Sequence, residues 1–292
     1  MSRTLQAYKT ITTLRERYST LKIGQESLLA VLAEAEIPEQ VYNSNAIENS
    51  TLTLEETEKI LIQIDLDRYI SERELFETKN LARVMVYIGH TAHEKPLTLG
   101  ITTLLHKMLI ANIRDDIAGR FREESEWVRV GNYIAADPKD VVRLVTRALS
   151  MYESTPQEHI VRRVARFHLT FERIHPFVDG NGRIGRVINN YLLLRDGYVP
   201  INIAFIDRAL YYEAFKEFDR NGQTDIMEGI VARAITMSYH KRLAYLEHQE
   251  IISIAEYAHR TKTSHQNLLN KAKRQTIPAF LEKGTWKIGI AR

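Results

Sequence analysis

The stretch that decides the reading is Arg173-Ile-His-Pro-Phe-Val-Asp-Gly-Asn-Gly-Arg-Ile-Gly-Arg186. Gly180 and Gly182 permit backbone turns closed to other residues and let a ligand approach main-chain N–H groups. The segment opens a helix, whose free N–H groups and positive dipole end attract anions. Arg183 and Arg186 lie three residues apart on one helix face, so both guanidiniums can address one ligand. Asp179 places a hard oxygen beside that anion site, as a phosphate chain carrying Mg²⁺ requires. His175, fixed by Pro176, supplies a base that titrates near neutrality. Anion cradle, carboxylate, two arginines and a base within twelve residues point to transfer of a phosphate-containing group. The stretch lacks the Lys-Ser/Thr of a P-loop and the strand that precedes a Rossmann glycine loop.

Outward from this loop the chain reads as helices. Apolar residues at helical spacing run over 4–36 (Leu14, Tyr18, Leu21, then Leu28, Leu29, Leu32), and Ile37-Pro38 is expected to end that segment. Helical pattern resumes at 38–47 and again from Thr53, where Thr53-Leu-Glu-Glu is a helix start with early acids. Helices are expected over 71–93, 98–110, 139–153, 156–173, 183–195, 208–219 and 223–247. The exception is 119–138, where Trp127, Val128, Val130, Tyr133 and Ile134 flank Gly131-Asn132 and predict a short β-hairpin. His90 and His93 read as a solvated pair on a helix, and Arg162, Arg163 and Arg166 as a solvated or phosphate-facing helix edge.

The 292 residues carry 40 Lys+Arg, 37 Asp+Glu and no cysteine, a net charge of +3. Without cysteine there is no disulfide, thiolate metal site or Cys nucleophile, which fits a reducing, cytoplasmic compartment. The start lacks the apolar core of a signal peptide, and no apolar run reaches the roughly 18 residues of a membrane span. The charge is unevenly spread. Residues 251–292 hold eight basic and two acidic side chains, while the other 250 residues are net negative.

The stretch His175 to Arg186 matches HPFx(D/E)GNGRxxR, the signature of the Fic family, at every specified position, and resemblance extends over most of residues 40–240. The resemblance implies an all-α fold with a small β-hairpin flap, and a protein adenylyltransferase that moves AMP from ATP to a Ser, Thr or Tyr hydroxyl of a target protein. It implies that His175 is the general base, that Asp179 binds Mg²⁺, and that Gly180, Asn181 and Gly182 form the anion hole. Arg183 would contact the phosphates and Arg186 the γ-phosphate, with Phe177 anchoring the loop. Val128, Arg129, Val130 and Gly131 fall where such proteins carry the flap that covers the nucleotide and pairs with the target segment. Tyr211 and Tyr212 correspond to a tyrosine pair lining the adenine pocket, and Asp219 stands where some relatives have an adenine-contacting Asn. Ser44-Asn-Ala-Ile-Glu-Asn49 matches the family's inhibitory pattern (S/T)xxxE(G/N), which predicts that Glu48 pairs with Arg186 and takes the γ-phosphate's partner. In some members the same Glu serves removal of AMP instead.

The tail reads as a separate module. Ile254 to Ala258 and Gln266 to Arg274 are helical, with Ser264 as N-cap, and Ile277 to Phe280 and Thr285 to Ile288 flank a turn at Glu282-Lys-Gly284. Two short helices followed by a wing resemble excisionase-type winged helix-turn-helix modules, which implies DNA as a candidate partner through residues 251–292. The expected division is residues 1–95 with the inhibitory motif, 96–248 as catalytic core and 249–292 as the module, with a homodimer as a candidate assembly. The rival reading is a DNA-binding transcriptional regulator with a nucleotide-sensing or inactive core.

Overall fold

The structure, a computed structural model, describes residues 3–131 and 133–291, so Asn132 of the expected turn pair and Arg292 lie outside the described residues. Twelve α-helices dominate these residues. In order they are α1 (Arg3–Leu21), α2 (Glu26–Ile47), α3 (Leu54–Leu61), α4 (Glu72–Thr91), α5 (Leu99–Ile110), α6 (Val141–Glu153), α7 (Ile160–Ile174), α8 (Asn181–Arg195), α9 (Arg208–Asn221), α10 (Asp225–Leu246), α11 (Ile254–Thr261) and α12 (His265–Lys273). A two-stranded hairpin, β1 (Arg129–Val130) and β2 (Tyr133–Ile134), pairs Arg129 with Ile134 and Val130 with Tyr133.

Helix starts follow capping chemistry. Thr53 accepts from the N–H of Glu56 while Glu56 reaches back to the N–H of Thr53, a full capping box. Thr98, Ser71 and Ser253 cap α5, α4 and α11 in the same side-chain-to-backbone way. One expectation fails at Pro38. The α2 helix runs straight through it, and the break falls instead at the left-handed Gly24, between α1 and α2. Pro38 withholds one N–H from the carbonyl of Glu34, but residue 34 is exposed and water can serve that carbonyl. Burial of Val41, Ala46 and Ile47 on the following turns offsets the cost of about 3 kcal/mol.

A single hydrophobic core runs from Ile11 to Tyr239, so the helices before residue 95 share it with those after. The α7 and α8 helices lie at its centre, with Val164, Phe171, Ile184 and Ile188 fully buried. A second, smaller core of Ile252, Ile254, Ala258, Leu268, Ala272, Ala279 and Ile288 holds the C-terminal module together. Its three strands, β3 (Glu250–Ser253), β4 (Ala279–Glu282) and β5 (Thr285–Ile290), form an antiparallel sheet in the order β3-β5-β4. The β3 strand was not expected. It is four residues long and directly abuts α11, so no separate turn signal marks it.

Candidate active site

The α7 helix ends on His175, whose φ of 52° is left-handed, a conformation that non-glycine residues adopt only when held. What holds it is Arg122. Its guanidinium donates to the carbonyls of His175 (2.7 Å), Glu126 (2.8 Å), Ala136 (2.8 Å) and Ile174 (3.2 Å), and its own N–H donates to the carbonyl of Pro176. One buried side chain thus ties the histidine turn to both ends of the segment carrying the hairpin. His106 is the second brace. Its ring stacks on Phe177 at 3.7 Å between centroids, its Nδ1 accepts from the N–H of Gly119, and its Nε2 therefore donates to the carbonyl of Asp179. Neither residue carried a motif. A buried Arg or His among apolar neighbours becomes visible only once the fold brings its partners together.

The His175 ring has its Nδ1 3.3 Å from the carbonyl of Glu172. The proton therefore resides on Nδ1 and Nε2 keeps a free lone pair. Burial lowers the pKa of His175 to about 4, so the ring is neutral at pH 7. Six residues after His175, the Asn181 side chain accepts from the N–H of Phe177 (2.9 Å) and donates to its carbonyl (2.8 Å). The Asn181 side chain is spent on the loop, which corrects its expected place in the anion hole to the main chain alone. Gly180 has φ of 79°, and an added Cβ there would collide with Ile110, which is why glycine is needed.

A cleft of about 530 Å³ opens over this helix start, lined by Glu48, Arg73, Val128, Arg129, His175, Asp179, Gly180, Asn181, Gly182 and Arg183 among others. Most of its charges are paired, Arg129 being bonded to the Gly131 carbonyl instead. Asp179 meets Arg73 at 2.5 Å and Arg183 at 3.6 Å, and Glu77 meets both Arg73 and Arg183 at 2.9 Å. Burial opposes the charge on Asp179, but Arg183 and Arg73 together hold its pKa below the usual value. Arg186 is buried and donates to Ser44 Oγ (2.9 Å), the Ser44 carbonyl (2.8 Å), Glu48 Oε1 (2.9 Å) and the Tyr211 hydroxyl (3.2 Å). The contact expected between Glu48 and Arg186 is therefore formed. Burial alone would lower the Arg186 pKa, yet Tyr211, Glu48 and Glu172 around it raise it. The Glu48 carboxylate also lies directly against Gly182, in the space a Cβ at that position would occupy. Asn49 has φ of 69°, which explains a Gly or Asn after the glutamate, and its Oδ1 accepts from Arg208 at 2.6 Å.

Several expected residues stand elsewhere. Tyr211 is fully buried beneath Arg186, with its hydroxyl 2.7 Å from His168 Nε2, and supports the arginine rather than lining the cleft. Tyr212 bonds the carbonyl of Ile47, and Asp219 is ion-paired with Arg173; neither lines the cleft. Val130 and Gly131 do not line it either, and Val128 and Arg129 are the contribution of the hairpin segment. Arg162, Arg163 and Arg166 are ion-paired with Glu228, Asp196 and Glu158 and lie outside the cleft over the α8 start. Among the described residues no three His, Asp or Glu side chains converge on a metal position, His90 and His93 included.

Residues 96–193 match the model of the Fic/DOC family. They form a Fic/DOC domain. Similar curated proteins include the protein adenylyltransferase Fic of Nematostella vectensis, 30% identical over 203 residues covering 68% of this chain and 47% of that one. That of Drosophila virilis is 31% identical over 207 residues, covering 69% and 42%. The chain thus spans less than half of either relative. Among solved structures, Fic-1 from C. elegans superposes with TM-score 0.71 at 23% identity, covering 82% of this chain and 70% of that one. A Fic family protein from Desulfovibrio desulfuricans superposes with TM-score 0.68 at 20% identity, covering 100% and 97%. At these identities the likeness is one of fold, and in the second case it extends through the C-terminal module. No helix among the described residues is long and apolar enough to cross a membrane.

Proposed function

We propose that this Fic/DOC domain transfers AMP from ATP to a hydroxyl side chain of a target protein, and that Glu48 restrains it. The observation that carries the reading is a neutral histidine just before the α8 start together with an arginine, on the second turn of α8, that Glu48 occupies. His175 Nε2 takes the proton of the target hydroxyl. The freed oxygen attacks the α-phosphorus, the bond to the bridging oxygen of the β-phosphate breaks, and pyrophosphate leaves. The N–H groups of Asn181 and Gly182 at the start of α8 face the phosphate charge, while the Gly180 N–H holds Asp179 Oδ1 at 2.6 Å, and Arg183 adds its guanidinium. The donor set fits Mg²⁺, because Asp179 offers one hard oxygen beside the phosphate site and the remaining ligands come from the nucleotide and water. Bound there, the cation neutralises phosphate charge.

The restraint is electrostatic. With Glu48 on Arg186 and against Gly182, the γ-phosphate loses its partner and meets a like charge. Glu48→Gly should therefore raise transfer. Mass spectrometry of this variant incubated with ATP, Mg²⁺ and cell lysate should find AMP adducts on Ser, Thr or Tyr, and an adduct-free result from an intact, folded variant would sink the proposal. Loss of AMP from a pre-modified target with parent protein, absent with Glu48→Gly, would add the hydrolytic activity.

A second reading concerns the C-terminal module, for which we propose a winged helix-turn-helix that docks on duplex phosphate. Lys262, Lys271, Lys273 and Arg274 are exposed and make no ion pair among the described residues; α12 presents Lys271 and Lys273 with the polar His265, Gln266 and Asn270, Arg274 caps its end and Lys262 caps α11 just before it. Binding to duplex DNA that weakens steeply with salt supports it, and no shift at 50 mM salt would refute it.

A further inference from the structure

The helix that ends in Glu48 has a second attachment. Nine residues earlier, about 13.5 Å along the axis, the Glu39 carboxylate accepts the main-chain N–H of Lys283 at 3.0 Å, in the turn between β4 and β5. One turn before that, Glu36 meets Arg242 at 2.6 Å and Lys241 at 3.3 Å, and Lys241 bridges onward to Glu282 on β4 at 2.6 Å. The Lys283 ammonium reaches Glu58 on α3 at 2.7 Å. The β4–β5 turn therefore holds both the helix that carries Glu48 and the helix that begins just after it.

These contacts form a seam of charge. Glu36, Glu39, Glu282, Lys241 and Arg242 are each largely shielded from water and depend on one another. Withdrawing the turn would leave Glu39 without its donor and Lys241 with one carboxylate instead of two, a cost that favours full docking or full release over intermediate positions. Between the seam and the site, α2 is continuous and hydrogen-bonded, with Asn43 pinned to the N–H of Phe205. Its far end meets Arg186 through bonds of 2.8–2.9 Å, which fail beyond about 3.5 Å. A shift of α2 by roughly 1 Å at the seam is enough to undo them.

We propose that the C-terminal module sets the Glu48 restraint: docked, its β4–β5 turn keeps α2 in place and Arg186 occupied; displaced, it frees Arg186 for the nucleotide. This rests on the reading of Glu48 as the restraint. The test is charge reversal on the module's side, Glu282→Lys and separately Lys283→Glu on the exposed turn, in the full chain. Amide exchange over residues 40–49 should accelerate in both, and AMP transfer should rise roughly 5- to 150-fold over the parent. In the Glu48→Gly background the same changes should add nothing. Unaltered exchange at 40–49 in variants that melt as single folded species overturns the proposal, as does an equal gain with and without Glu48. If exchange accelerates while Glu48→Gly itself transfers nothing, the coupling stands and the transferase reading falls.

Discussion

The loop at 175–186 and helix α12 both gather cations, and they treat them oppositely. Around the cleft, three of the arginines have an internal anion: Arg73 and Arg183 share Glu77 and Asp179, and Arg186 takes Glu48. On α12 and its cap, Lys271, Lys273 and Arg274 are exposed without a carboxylate partner among the described residues. The excess positive charge of the chain therefore does not mark its phosphate chemistry. That site is built from oriented main-chain N–H groups and a few arginines whose carboxylate partners occupy places a phosphate would claim. The module's cations instead face solvent.

The strongest way to break this comparison is at His175. In the Glu48→Gly background, His175→Ala should lower AMP transfer by about 10²- to 10⁴-fold, the range of a positioned general base. Unchanged transfer would remove the histidine from the chemistry. Next in size is Arg122→Met, which leaves four carbonyls without their donor. Denaturant unfolding should show a loss of at least about 2 kcal/mol, with transfer reduced because the left-handed His175 turn slackens.

The pH dependence separates the regions further. His106, His159 and His175 have pKa values lowered to about 4, and His168 to about 3, each chiefly by burial. The unfolded chain binds these protons near pH 6.5 and the folded chain does not, so stability is full above that value and is lost as pH falls toward 4. A thermal melt series from pH 7.5 to 4 should fall steeply, and transfer should stay flat from pH 6.5 upward. Glu172 runs the other way. Burial, helped by the nearby charge of Glu48, pushes its pKa up to about 8. The folded chain keeps a proton that the unfolded chain has released near 4.5, so this group's contribution declines as pH rises through that window. Glu172→Gln should gain on the parent in melts at pH 8–9 relative to pH 5. The smallest effect belongs to α12: changing Lys271, Lys273 and Arg274 to Ala should alter stability by less than about 0.5 kcal/mol each while flattening the salt dependence of any DNA binding.

What the sequence made legible follows a physical line. The glycine loop, the Glu48 pattern, the hairpin and most helices are local or carry a long motif. The helix start at Thr53 and the cap at Ser264 could be read for the same reason. Pro38 misled because its effect depends on whether water reaches one carbonyl, which is a tertiary fact. Arg122, His106, Glu77 and Glu172 were silent because each acts through residues tens of positions away. Tyr211 was placed in the right neighbourhood but faces Arg186 from below.

The central claim is that Glu48 withholds Arg186 from the nucleotide. The most direct measurement is the rate of label transfer from α-³²P-ATP to protein by the parent, Glu48→Gly, and Glu48→Gly with Arg186→Ala, side by side. A nearly silent parent, strong transfer by the single variant, and loss of that gain when Arg186 is also removed are expected. Equal transfer by the parent and Glu48→Gly, or a gain that survives without Arg186, would contradict it.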